Sequence, residues 1–228
     1  MTDIESNLKE VRANIATSLR VANRREDEVL LVGVTKTHPV EFIATGISLG
    51  ISDVGENKAQ EFVDKYDIIK NKVKWHFIGH LQKNKVKYVV GKAALIHSVD
   101  SLELAETISR RATQIGVVQD ILIEVNVSGE TSKFGIRGEG MKDLLLQMAA
   151  LPGIRIRGLM TMAPNVADES IVRGVFRGLR TLRDKLVEES AGRLDLKELS
   201  MGMSQDYPLA ILEGATIIRV GSLIYGHR

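Results

Sequence analysis

Residues 30–40 read LLVGVTKTHPV. Five successive positions, Leu30 to Val34, carry no polar side chain on either alternating face. A short strand apolar on both faces belongs in a parallel sheet whose outer side is covered by helices. Lys36 then stands where the strand ends, just ahead of Pro39. An ammonium at the mouth of an apolar strand is costly to desolvate, so it either snorkels back to water or is there to react.

Working outward, the same kind of run recurs. After VLLVGVT (29–35) come ISDVG (51–55), VKWHFIG (73–79), ALIHSV (94–99), DILIEVNV (120–127), IRIRGLMTM (154–162), ELSMG (198–202) and TIIRVG (216–221). Amphipathic stretches lie between them, among them LELAETISRRATQIG (102–116), MKDLLLQMAAL (141–151), ESIVRGVFRGLRTLRDKLVEES (169–190) and the helix opening at SQDYPLAILEG. Ahead of the first strand, Ile4, Leu8, Val11, Ile15 and Leu19 fall at steps of three or four, the spacing of one helix face. Eight strand and helix units linked by right-handed crossovers can close on themselves. The expected fold is therefore an α/β chain forming a single (β/α)8 barrel over residues 1–228 with an extra N-terminal helix. An open doubly wound sheet is the alternative. No linker, low-complexity tract or worded repeat divides the chain.

The 44% hydrophobic and 26% charged residues supply one large core and a surface to cover it. A formal charge of +2 gives no general attraction for nucleic acid, and the basic stretches KNKVKYVVGK (83–92) and RRAT (110–113) lack interleaved aromatics, so they read as solvated helix faces. With no cysteine, disulfides, thiolate catalysis and cysteine-ligated metals are excluded. The start MTDIESNLKE does not resemble a signal peptide and no 18-residue apolar run follows. The expectation is a cytoplasmic protein that binds neither membrane nor nucleic acid. His76 and His80 in WHFIGH are four apart. On a strand that puts them about 13 Å apart at 3.3 Å per residue, too far to share an ion, so no metal site is expected.

Barrel chemistry sits past the C-terminal ends of strands. Those positions hold Lys36, Glu56 and Asn57, His80, Asn126 and Ser128, Met160 and Met162, Ser200 to Ser204, and Arg219 to Ser222. A lysine in an apolar wall loses hydration and offers a neutral amine to an aldehyde; the plainer alternative is a snorkelling strand-end lysine. The turns SMGMS (200–204) and RVGS (219–222) follow the seventh and eighth strands, where barrels often hold phosphate on backbone N–H groups. The plainer alternative makes Ser204 an N-cap and the glycines turn residues. An amine across a barrel mouth from a phosphate cradle suits a phosphorylated aldehyde held at both ends, and pyridoxal 5'-phosphate (PLP) fits that description. Arg219 is a donor only, so beside a pyridine nitrogen it would leave that nitrogen unprotonated and the ring a weak electron sink. The loop SGETSKFGIRGEG after the fifth strand lies at the same end, where it would serve as a lid.

The segments VGVTKTHP, GENKAQE, WHFIGHLQKNK, SGETSKFG, GLMTMAP, LSMGMSQDY and IRVGSLIYG, spanning about residues 29–226, resemble the pyridoxal phosphate homeostasis protein family. Its fold is similar to the barrel domain of alanine racemases and related decarboxylases. The resemblance implies that Lys36 is the Schiff-base lysine, that Arg219 faces the pyridine nitrogen, and that Ser204, Gly221 and Ser222 hold the phosphate. It also implies that Asn57 and His80 line the ring's polar edge, with Ser200 and Met201 close by. No catalytic residue is expected. Related racemases complete their sites with a second, β-rich domain and a partner subunit, whereas this chain ends six residues after Ser222. Racemisation needs proton transfer on both faces of the imine, and Tyr207, the nearest second acid/base, is expected to pack in its helix. The expected function is thus a PLP-binding protein, a monomer that passes its cofactor to PLP-requiring apoenzymes. A PLP-dependent racemase or decarboxylase is the alternative, and a phosphosugar aldolase the weakest reading.

Overall fold

Eight parallel strands pair in chain order and close on themselves in the computed structural model, which describes residues 3–129, 134–136 and 140–226. The strands are β1 (Leu30–Val34), β2 (Asp53–Glu56), β3 (Lys74–Phe77), β4 (Leu95–Val99), β5 (Gln119–Glu124), β6 (Ile154–Met160), β7 (Glu198–Met203) and β8 (Ile217–Val220). Closure comes from β1 pairing with β8, with Leu30 opposite Ile217 and Val32 opposite Arg219. The expected barrel is the observed fold, and the open sheet is excluded because neither β1 nor β8 is an edge.

The helices are α1 (Ile4–Val21), α2 (Val40–Ser48), α3 (Ala59–Ile69), α4 (Val86–Val89), α5 (Leu102–Gln114), α6 (Met141–Ala149), α7 (Glu169–Glu189), α8 (Tyr207–Leu212) and α9 (Ser222–Tyr225). Their apolar stripes face the barrel. In α7, Val172, Val175, Phe176 and Leu179 are buried at helical spacing, and Asp168 caps its start by accepting from the Ser170 N–H at 2.9 Å. Helix α1 begins with Asp3 accepting from Ser6 N–H at 3.0 Å and buries Leu8, Val11 and Leu19. The main apolar core is this layer between strands and helices.

Strand side chains alternate between that layer and the barrel interior. The interior splits in two. Val32, Leu95, Leu122, Met160 and Ile217 form a small apolar cluster of their own. The rest is polar: His76, His97, Ser200, Glu124 and Arg219 are all buried. Residues 102–114, 141–149 and 169–189 are helical inside the bounds expected from periodicity, each ending one or two residues early.

Candidate functional site

A cavity of about 840 Å3 opens at the C-terminal ends of the strands. Lys36, Asn57, His80, Ser204, Arg219, Gly221 and Ser222 all line it. Ser200 and Met201 do not. Ser200 lies below the cavity floor, fully buried, and Met201 points the other way into the layer between barrel and helices. The reason is the period of two: Ser200 and Met201 are neighbours on β7 and must face opposite sides of the sheet.

Thr35, the residue after β1, is fully buried, whereas Lys36 is exposed. The apolar strand therefore does not desolvate the Lys36 amine as expected; the chain has already turned outward. That turn is held by a buried ion cluster. The Lys65 ammonium donates to the Thr35 carbonyl at 2.6 Å and to the Glu56 and Glu61 carboxylates at 2.7 Å each. Thr37 donates its N–H to Glu61 and adopts φ +66, a left-handed conformation rarely taken by a β-branched residue. Burial pushes the Glu56 carboxyl above its ordinary value, with Lys65 and Thr35 opposing the shift.

Across the cavity, Ser204 precedes α8, whose N-cap is Asp206, so Ser204 is not a helix cap. Its hydroxyl instead accepts the Gly221 N–H at 3.2 Å, which ties the loop after β7 to the loop after β8. A β-carbon at Gly221 would stand 2.9 Å from the Val34 carbonyl oxygen, so only glycine lets this loop press against β1. Gly79 is equally confined, because a methyl there would overlap the Asn57 carbonyl oxygen.

Arg219 enters from β8 and is 5% exposed. Its guanidinium donates to Ser200 Oγ at 2.5 Å and to the Thr161 carbonyl at 3.1 Å. Burial pulls it down to about 10, with Asp206 and Glu124 acting the other way, so it is charged at neutral pH. Glu124 also lines the cavity, and burial, reinforced by Asp100, raises its carboxyl to about 7. His80 sits at the rim, 3.3 Å from Asp100 and stacked on Phe134 with ring centres 4.2 Å apart. His76 points instead into the barrel, 2.9 Å from Asp53, so the two histidines of WHFIGH serve different partners.

Asn126 accepts from the hydroxyl of Ser128 at 3.3 Å within the loop after β5, and Met162 but not Met160 reaches the cavity. The lid expected over 128–140 rests partly on residues 130–133 and 137–139, which lie outside the described residues. Sequence reasoning missed Glu124, Asp206, Lys65, Glu61 and His97. Glu124 and His97 had a signal, each being an ionisable group inside an otherwise apolar strand run. Lys65 had only its helical spacing from Glu61.

The arrangement thus presents an exposed primary amine at one wall and a buried cation at the floor. The joined loops after β7 and β8, carrying Ser204 and Ser222, close the other side. Comparison with known proteins places the fold and the family. The alanine racemase N-terminal domain family matches residues 6–228. The pyridoxal phosphate homeostasis protein of Aquifex aeolicus is 46% identical over 222 residues, 97% of this chain and 96% of its own length. The solved structure of PipY from Synechococcus elongatus with PLP bound is 33% identical, covers 98% of this chain and 100% of its own, and superposes with a TM-score of 0.87. An alanine racemase of Clostridium difficile shares the fold at 16% identity and a TM-score of 0.79, this chain matching 57% of it. By fold, motif order and full-length similarity, the chain belongs to the alanine racemase N-terminal domain family and, within it, to the pyridoxal phosphate homeostasis proteins.

Proposed function

We propose that this protein holds PLP in the cavity at the C-terminal mouth and serves vitamin B6 homeostasis as a binding protein with little or no catalysis. When bound, the cofactor supplies an aldehyde that condenses with a primary amine, a phosphate, and a pyridine ring that can take up charge. The observation that carries the reading is the distribution of matching groups over one cavity: Lys36 on one wall, Arg219 at the floor, and Ser204, Gly221 and Ser222 on the joined loops. A cavity of about 840 Å3 also lies within the range of about 300–1,000 Å3 typical of small-molecule sites. Asn57 Oδ1 is buried with no hydrogen-bond partner among the described residues, a polar atom left for a bound molecule to meet.

In this reading Lys36 carries the covalent link, and Ser204, Gly221 and Ser222 hold the phosphate. Arg219 faces the ring nitrogen and, as a donor only, keeps a proton off it. Asn57 and His80 line the polar edge. Ser200 acts through Arg219, and Met201 contributes packing. Relatives named for PLP homeostasis support a carrier role, and PLP-requiring apoenzymes are the partners such a carrier would supply. Tyr207 is 2% exposed in the helix layer, away from the cavity. The same reading has the protein working as a monomer in the cytoplasm; among the described residues no helix is long and apolar enough to cross a membrane. A slow racemase is the second reading, favoured by Glu124, a cavity carboxyl that holds a proton up to about pH 7.

Borohydride reduction of the PLP-loaded protein followed by peptide mass spectrometry is expected to find one phosphopyridoxyl group, on Lys36. An adduct on another lysine, or none, defeats the assignment. Incubation of loaded protein with a panel of L-amino acids, read by chiral chromatography, separates carrier from racemase.

A further inference from the structure

Below the cavity floor an unbroken line of hydrogen bonds crosses the barrel. Arg219 donates to Ser200 Oγ at 2.5 Å, Ser200 Oγ lies 2.8 Å from His97 Nδ1, and His97 Nε2 lies 2.8 Å from His76 Nδ1. His76 Nε2 then meets Asp53 Oδ1 at 2.9 Å, and Asp53 takes a second bond at 2.6 Å from Ser52. The five side chains come from β8, β7, β4, β3 and β2 in turn, and each is at most 5% exposed. Asp53 and His76 also border a second cavity of about 640 Å3 at the opposite, N-terminal mouth, together with Lys74 and Arg157. The line therefore joins the two ends of the barrel.

Its ends fix its direction. A guanidinium can only donate, and an ionised carboxylate can only accept. Asp53 takes the proton of His76 Nε2; with one proton on each ring, His76 Nδ1 accepts from His97 Nε2–H. His97 then accepts at Nδ1 from the Ser200 hydroxyl, its partner there. Ser200 keeps its lone pairs for Arg219. Every donor meets an acceptor, and both imidazoles are held as one tautomer. Burial, with the nearby charge of Arg219, keeps His97 neutral. Burial opposes ionisation of Asp53, but the bonds from His76 and Ser52 outweigh it and hold the carboxyl below its usual range.

We propose that Asp53, His76, His97 and Ser200 form a positioning relay for Arg219, a one-way hydrogen-bonded chain that aims the guanidinium at the cofactor from the opposite mouth of the barrel. The proposal rests on the reading that Arg219 faces the bound ring. None of the four lines the cavity at the C-terminal mouth. They act by leaving Ser200 a single role, acceptor toward Arg219, so the guanidinium has one orientation.

The test has two arms. Nitrogen-15 NMR of ligand-free protein labelled in histidine, at neutral pH, is expected to show His76 and His97 both protonated at Nε2. In the isosteric variant Asp53→Asn the terminal amide can also donate, so both rings are expected to populate the Nδ1–H tautomer. Wild-type tautomers of the other kind, or no change at His97 in Asp53→Asn, overturn the relay. In the second arm Ser200→Ala is expected to lower PLP affinity about tenfold, the scale at which outer hydrogen-bond partners act, and to shift the visible band; Ser200→Thr, which keeps the hydroxyl, is expected to restore both. If Ser200→Ala behaves as wild type while Arg219→Lys changes affinity and spectrum, the relay is wrong and the cofactor reading stands. If Arg219→Lys changes neither, the ring assignment fails, and the tautomer measurement decides the relay on its own.

Discussion

Glu124 illustrates how one side chain acquires a property that its neighbours in the chain do not announce. Its carboxyl is raised to about 7 by burial and by Asp100, against about 4.3 in an unfolded chain. Between those values the native state binds more protons than the unfolded one, so this residue makes stability fall as pH rises from about 4 to about 7, with no further change above. Glu124→Gln cannot ionise and escapes the fall. In urea titrations of ligand-free protein, the variant is expected to gain on wild type by about 1–3 kcal/mol between acid and neutral pH; a difference that does not vary with pH sinks the assignment. The residue was visible as the second acid of DILIEVNV, after Asp120. Its flanking by Arg219 and Asp100 was not, because those contacts join β5 to residues near other strands.

Strands and their following loops show a second kind of constraint. The run LLVGVTK correctly announced β1 and a lysine that lines the cavity, yet the expectation that Lys36 is desolvated failed. One residue past a strand is enough for the chain to swing from core to solvent, and only the Lys65–Glu56–Glu61 cluster shows which way it swings. The loop after β3 is confined by backbone on backbone: Gly79 lies against the Asn57 carbonyl, and its own carbonyl accepts from the Ser98 hydroxyl at 2.5 Å. Gly79→Ala is expected to destabilise the protein by about 3 kcal/mol, since neither backbone segment can yield without moving a strand end. Denaturant midpoints measure it, and a loss under about 0.5 kcal/mol, the level of an ordinary surface change, contradicts the packing described.

The whole molecule has its seam at β1 and β8, and the proposed ligand groups straddle it, Lys36 on one side and Arg219 to Ser222 on the other. A molecule bound to both stabilises the closed barrel by mass action. At a hundredfold excess over Kd, PLP is expected to add about 2.7 kcal/mol. For a chain of this length that corresponds to about 5–10 °C in Tm by calorimetry, with a smaller rise for unphosphorylated pyridoxal; equal rises for the two argue against a phosphate cradle. Eight apolar runs with helical stretches between them already implied the closed parallel barrel, because a strand with two apolar faces has no stable edge and eight such units can abolish edges together. The strand-end positions likewise named Lys36, Asn57, His80, Met162, Ser204, Arg219, Gly221 and Ser222, which line the cavity, since barrel geometry sends every strand end to the same rim. What could not be read along the chain was the inside of that barrel. Which of two neighbours on β7 faces inward, and that His76, His97 and Ser200 meet in line beneath Arg219, depends on strand register and on groups more than a hundred positions apart, and those are brought into hydrogen-bond range only when the ring of strands closes.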